Sequence, residues 1–105
     1  RKNVTGSLVI SFIMHLEIIT PEEVLISQDE VTDVKVPGVL GEFQLLDHHA
    51  PIVSVLQEGN IIFNDKVQLP KQKQDQFKHQ NGKYLYPIKG GVIENKDNKT
   101  VILVD

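Results

Sequence analysis

The sequence predicts an all-β fold, an antiparallel sandwich or barrel built from short strands. Alternating and β-branched residues dominate after Met14, and no segment keeps a helical period. Turn-forming residues separate these segments at short, regular intervals, with Asn81-Gly82 as the clearest turn. At 105 residues the chain is long enough for one domain with a modest core.

The first strands are predicted from alternation of polar and apolar side chains. We expect strands at 15–20, 24–27 and 31–36. In the third of these, alternation places Thr32, Val34 and Val36 on the inward face and leaves Lys35 in water. The pair Pro37-Gly38 is expected to end this strand as a turn.

Seven more strands are expected in the rest of the chain. Three lie at 42–46, 52–56 and 60–63, and Pro51 belongs at a strand start or edge because it lacks a backbone donor. Asn81-Gly82 tolerates the positive φ angles of a type I′ turn, so 77–80 and 83–86 should pair as a hairpin. Gly90-Gly91 should bend the next strand where a Cβ would obstruct packing. A turn at 95–98 then leads into the last strand, 100–104.

Two segments stand apart from this pattern. The stretch 64–76 is polar, rich in Lys and Gln, and contains Pro70, so we expect a solvated loop or hairpin extension. We also expect a Gly/Ser linker to replace 67–74 without loss of the fold. The stretch 1–13 precedes the only methionine, Met14, and is interpreted as upstream or artificially joined sequence outside the domain at 14–105.

The composition excludes several classes of partner. A net charge of −3 and a pI near 5.8 give no electrostatic footprint for nucleic acid or an anionic membrane. Cysteine is absent, which removes disulfides and thiolate metal sites. No apolar run approaches the roughly 20 residues that cross a bilayer. Direct insertion into a membrane is therefore not expected.

Catalytic and metal-binding patterns are also weak. Asp47, His48 and His49 are the densest metal-capable group, but adjacent residues of an extended segment point to opposite sides. No nucleophile elbow or phosphate-binding loop occurs. A triad assembled only by folding stays open, although nothing favours it. We expect no catalytic residue, no cofactor and no metal.

Three motifs in order resemble the N-terminal β-sandwich of the epsilon subunit of F-type ATP synthases. They are the stretch from Gly41 to Val53 with His49-Ala50-Pro51 in it, Gly59-Asn60-Ile61-Ile62, and Gly90-Gly91-Val92-Ile93-Glu94. The resemblance runs from Met14 to Asp105 and implies a two-sheet, mainly antiparallel β-sandwich of about ten strands. It departs from the family pattern at Gln44, where a glycine is common, and at Leu46-Asp47-His48, where Tyr-Pro-Gly is common.

The resemblance implies a non-catalytic subunit of a proton- or sodium-translocating ATP synthase. Such a subunit links gamma to the c-ring in the central stalk, peripheral to the bacterial inner membrane on its cytoplasmic side. By motif position, the gamma interface comprises Thr20, His49, Ala50 and Val53, and the c-ring interface comprises Gly41, Glu42 and Phe43. Longer family members carry a C-terminal helical hairpin that can bind ATP. The resemblance covers only the sandwich, so no nucleotide is expected.

Two other readings stay open from the residues alone. A stand-alone β-sandwich could bind a peptide or glycan through its loops, and its sign would be a concave aromatic platform. The chain has two Tyr, four Phe and no Trp for this purpose. The other reading is an enzyme whose site is assembled by folding.

Overall fold

A computed structural model describes residues 14–46 and 48–105, and the expectation for 1–13 lies outside these residues. The described chain forms ten strands and one short helix. The strands are β1 Met14–Ile19, β2 Val24–Val31, β3 Asp33–Gly38, β4 Gly41–Leu46, β5 Ile52–Leu56, β6 Gly59–Asn64, β7 Lys78–Gln80, β8 Lys83–Ile88, β9 Gly91–Lys96 and β10 Lys99–Val104, and the helix α1 is Lys71–Gln74.

The strands form one continuous sheet with two recognisable halves. The order β2-β1-β10-β9-β5 makes the first, which we call the β1 half. The second, the β3 half, contains β4-β3-β6-β8-β7, because β4 pairs with the free side of β3. The halves are joined where β3 meets β5 through one registered pair, Gly38 with Leu56. A single pair leaves the two halves free to diverge and face each other.

The predicted all-β class is confirmed, and the finer description is correct only in part. The sheet is continuous through the β3–β5 junction rather than divided into two. It is also mixed, because β1 and β10 run parallel from His15 opposite Lys99 to Ile19 opposite Leu103. The other registered pairs are antiparallel, as expected.

The core lies between the two halves. The β1 half contributes Leu16, Ile18, Ile93 and Ile102 and the β3 half Val34, Val36, Ile61 and Phe63, all 0% exposed. These side chains belong to one apolar cluster. Val34 and Val36 therefore point inward as predicted. Thr32 does not, because β2 ends at Val31 and the exposed Thr32 lies between two strands.

Two hairpins follow the turn chemistry in the sequence. Asn81 and Gly82 have φ angles of 53° and 75° and join β7 to β8, as predicted. Asp97 and Asn98, at 52° and 60°, join β9 to β10. Positive φ at both central residues is the signature of the I′ turn, whose twist matches that of paired strands.

The glycine predictions had mixed outcomes. Pro37-Gly38 is the end of β3, not the turn, which lies at Val39-Leu40 because Gly38 still pairs with Gly41. Gly91 opens β9, and a Cβ there would lie 2.3 Å from the Leu103 carbonyl oxygen. The predicted obstruction is thus present at the strand start.

The insertion at 64–76 is not a solvated loop. Val67 and Leu69 are 5% and 6% exposed and belong to the core cluster together with Phe77. Lys73 of α1 forms an ion pair with Glu23, in the turn between β1 and β2. The segment therefore connects the β7 end of the sheet to the β2 end and adds apolar side chains to the core. Contrary to the expectation from sequence, this burial predicts that a linker in its place would lower the stability of the domain.

Candidate functional site

The outer face of the β1 half carries an exposed row of aliphatic side chains. Strand register places Val55, Val92, Leu103, Ile19 and Val24 side by side across five strands. Four of them are between 39% and 56% exposed, and Ile19 is half-buried. We call these five residues the apolar row. Contiguous exposed apolar surface of this kind is typical of an interaction site.

A signal for this row was present in the sequence. An antiparallel strand with one wet face alternates apolar and polar residues, whereas a strand covered on both faces is apolar throughout. The run from Val101 to Val104 is apolar without interruption, and Ile52 to Leu56 has only Ser54 between aliphatic residues. Such runs are typical of a strand that is apolar on both faces, and here the outer of the two faces is exposed.

The predicted gamma-side residues lie on or beside this face. Val53 points outward from β5, two residues before Val55 of the apolar row, and is 68% exposed. His49 and Ala50 are exposed in the loop that leads into β5. The His49 Nδ1 lies 2.7 Å from the Ala50 carbonyl oxygen, so the ring is tied to its own loop.

Thr20 has a structural task in the turn after β1. Its hydroxyl oxygen accepts hydrogen bonds from the backbone N–H groups of Glu22 and Glu23, at 3.3 and 3.2 Å. Its own N–H donates to the Glu23 carbonyl at 2.9 Å. Thr20 follows Ile19 of the apolar row directly, so the turn it organises borders the exposed aliphatic surface.

A buried polar pair positions the His49 loop, and sequence reasoning missed it. Asn95 and Thr100 are 2% and 0% exposed. The Thr100 hydroxyl donates to Asn95 Oδ1 at 2.8 Å, and Asn95 Nδ2 donates to the His49 carbonyl at 3.1 Å. Buried polar groups need such partners because an unpaired one costs about 1–3 kcal/mol. The sequence placed Asn95 in a turn, where a polar residue attracts no notice.

The predicted ring-side residues are divided between surface and core. Glu42 is exposed on β4, with its carboxylate 3.8 Å from the Lys35 ammonium. Gly41 is exposed at the start of β4. Phe43 packs against the core, and its ring occupies the space that a Cβ on Gly38 would need, 2.7 Å away. Of the three, only Glu42 has an exposed side chain.

The β3–β4 turn adds two exposed aliphatic residues that sequence reasoning did not select. Leu40 is fully exposed and Val39 is 49% exposed. The Val39 N–H donates to the Val55 carbonyl at 3.1 Å, so this turn adjoins the apolar row. The exposed aliphatic surface therefore extends from the β1 half to the hairpin that carries Glu42.

A polar network covers the outer face of the β3 half instead. Asp33 accepts hydrogen bonds from Thr32 Oγ1 and Gln44 Nε2 at 2.8 and 2.9 Å, with Lys83 Nζ 3.8 Å away. Partial burial opposes the charge of Asp33, but these donors outweigh it and hold the pKa of the carboxyl below its usual value. The outer faces of the two halves therefore differ in character.

The described residues contain no group of side chains arranged to hold a metal ion. Across 14–46 and 48–105, no three His, Asp or Glu side chains are grouped so that they could hold a metal ion. One cleft of about 370 Å³ lies over Ile62 and Leu85, and another of about 380 Å³ lies near Val101. Neither is lined by an aromatic ring.

The tyrosines also do not form the concave platform that a glycan-binding module would need. Tyr84 and Tyr86 are half-buried against the core, with ring centroids 6.1 and 5.2 Å from Phe77. These rings pack against one another. The stand-alone peptide- or glycan-binding reading is not favoured.

The family model that matches this chain spans residues 13–105, and it describes the beta-sandwich domain of the ATP synthase delta/epsilon chain. The chain belongs to this family. The match covers all ten strands, so the resemblance inferred from the three motifs is confirmed. The family assignment accounts for the β-sandwich architecture.

Curated relatives agree with the family assignment. The ATP synthase epsilon chain of Chlorobium limicola is 32% identical over 90 residues, which cover 86% of both chains. Those of Desulforamulus reducens and Campylobacter concisus are each 35% identical, over 86% and 88% of this chain. The matched part spans 57% and 60% of those two longer relatives.

Solved structures with the same fold come from mitochondrial ATP synthases. A chain in the Euglena gracilis complex, which includes the c-ring, superposes with a TM-score of 0.68 at 21% identity, over 90% of this chain and 52% of that one. A chain in the Tetrahymena thermophila central stalk and c-ring structure gives 0.59 at 18%, over 87% and 62%. At these identities the likeness establishes the fold. No helix in the described residues is long and apolar enough to cross a membrane.

Proposed function

We propose that this chain is a non-catalytic central-stalk subunit of a proton- or sodium-translocating ATP synthase, where it links gamma to the c-ring. Membership of the delta/epsilon family supports the role, and the apolar row supports a large partner on the outer face of the β1 half. Torque transmission requires stiffness and interface area rather than reaction chemistry. A close-packed core meets the first need because it resists deformation.

The gamma interface in this proposal is centred on the apolar row. Val53 extends the row along β5, His49 and Ala50 border it at one end of that strand, and the Thr20 turn follows Ile19. Protein interfaces usually have apolar side chains at the centre and polar residues at the edge. The hydrogen bond from the buried Asn95 amide to the His49 carbonyl ties this polar edge to β9.

The c-ring contact in this proposal is the β3–β4 hairpin. Glu42 presents a carboxylate that can pair with a cation or accept amide hydrogen bonds. Gly41 permits the tight turn, and Phe43 holds the hairpin against the core. In a bacterial cell, contact through protein partners alone would place the chain peripheral to the inner membrane, on its cytoplasmic side.

The binding of gamma tests this assignment with a matched pair of variants. Leu103 in the apolar row and Leu46 on β4 are 51% and 54% exposed, so both are surface leucines on strands. Leu103→Asp should weaken binding roughly 30-fold or more, because a desolvated interface centre tolerates unpaired charge poorly. Leu46→Asp should leave the affinity unchanged.

Calorimetric titration of purified gamma with each folded variant makes the measurement. Equal affinities for the two variants would contradict the proposed interface, while absence of binding by the unmodified chain would contradict the stalk function itself.

A further inference from the structure

A histidine lies between two carboxylates where β1 meets the edge strand β2. The Nδ1 of His15 is 2.7 Å from Asp29 Oδ1, and its Nε2 is 3.0 Å from Glu17 Oε2. Glu17 is on β1 beside His15, and Asp29 is on β2. The contact with Asp29 is therefore a side-chain tie across the outermost strand pair of the β1 half.

The two carboxylate partners determine which protonation state of the His15 ring satisfies both contacts. Ionised carboxylates only accept hydrogen bonds, and a neutral imidazole has only one N–H to donate. Both contacts are therefore satisfied at once only by the imidazolium, which carries a proton on each nitrogen. A neutral ring would place an unprotonated nitrogen against a carboxylate oxygen.

Ser27 supplies an alternative partner for the neutral ring. Its hydroxyl is 3.4 Å from His15 Nε2 and also 3.4 Å from Glu17 Oε2. When Nε2 loses its proton to solvent, the hydroxyl can donate to this nitrogen in place of Glu17. The site thus has a defined set of hydrogen bonds in each protonation state.

The charges around His15 favour the protonated form. Burial disfavours the charge, but the hydrogen bonds and attraction of Asp29 and Glu17 outweigh it, so the pKa of His15 lies above its ordinary value of 6.5. The bond from His15, against the opposing effect of burial, also lowers the pKa of Glu17, and Lys99 on β10 contributes from 4.0 Å.

We propose that His15, Glu17, Ser27 and Asp29 form a pH-sensitive latch that holds the edge strand β2 to β1. Below pH 6.5 the ring is protonated in both folded and unfolded states, and the latch is closed. Because the folded pKa is the raised one, the stabilisation is lost as pH rises through it. The latch is a property of this chain alone and does not depend on the proposed partner.

Nuclear magnetic resonance of the full chain can test the latch directly. The imidazole signals report the titration of His15, and backbone amide exchange reports opening of β2. After correction for intrinsic exchange, the opening constant of β2 should increase with pH, by roughly tenfold for each unit of elevation of the His15 pKa. His15→Gln should abolish this pH dependence.

Two further variants test the charge contribution of Asp29 and provide a control histidine. Asp29→Asn changes only charge at a side chain that is 81% exposed, so it should lower the His15 pKa without disturbing packing. His79→Gln removes a histidine that contacts a single carboxylate, Asp65, at 2.8 Å, and should leave the opening of β2 unchanged. An unaltered His15 pKa in Asp29→Asn, or the same pH dependence in His15→Gln and the unmodified chain, would overturn the latch.

Discussion

Val34 and Lys35 are neighbours in β3, yet their side chains lie in opposite environments. Val34 is 0% exposed and registers with Leu45 and Phe63 on the neighbouring strands. Lys35 points outward, toward Glu42. The same substitution at the two positions therefore separates the cost of burying a charge from the cost of changing a surface charge.

We expect Val34→Asp to unfold the domain or to lower its free energy of unfolding by about 3–5 kcal/mol, because it buries an unpaired carboxylate. Lys35→Asp should cost at most about 1 kcal/mol, since exposed ion pairs are weak. Urea denaturation of both variants measures the difference. Equal midpoints would contradict the assignment of the two faces.

At the scale of elements, the insertion at 64–76, which contains α1, is the segment where the structure differs most from the expectation based on sequence. Polar residues dominate its composition, but Val67 and Leu69 alternate with exposed Lys66, Gln68 and Pro70 and reach the core. Burial of each aliphatic side chain contributes about 1.5–3 kcal/mol as an upper estimate.

The double variant Val67→Ala and Leu69→Ala should therefore lower the free energy of unfolding by roughly 3–6 kcal/mol. The control is a double alanine variant at two exposed neighbours, Gln68→Ala and Lys71→Ala. It should lower the free energy of unfolding only slightly. Thermal and urea melts of both double variants decide between a structural and a solvated insertion. A cooperative, unshifted transition in the first variant would restore the solvated-loop interpretation.

At the scale of the whole molecule, the stalk proposal requires two surfaces with separable functions. Substitution of both His49 and Val53 by Glu should weaken gamma binding, because it adds charge beside the apolar row. Glu42→Lys should leave gamma binding intact and reduce coupling, because it reverses the charge of the exposed carboxylate on the β3–β4 hairpin.

Gamma affinity and ATP-driven ion pumping of the reconstituted enzyme should be measured for each variant, with melting curves as a check on folding. A folded His49/Val53 variant with normal gamma affinity would show that the proposed face is misplaced. If Glu42→Lys pumped normally, the hairpin would not be the coupling contact.

The sequence by itself determined the strands, most of the turns and the family. These features are local: strand periodicity appears in a few neighbouring side chains, and Asn81-Gly82 adopts its turn through its own φ preferences. The three motifs likewise identified the family and selected Val53 and Glu42, which the structure leaves exposed.

Tertiary structure alone decided how these pieces combine. The parallel pairing of β1 with β10, the junction at Gly38 and Leu56, and the burial of Val67 and Leu69 depend on contacts between distant parts of the chain. Strand register also brings Val24, Ile19, Leu103, Val92 and Val55 into one row and His15 between Glu17 and Asp29. Local periodicity assigns each strand two faces, but only pairing with its neighbours determines which side chains meet.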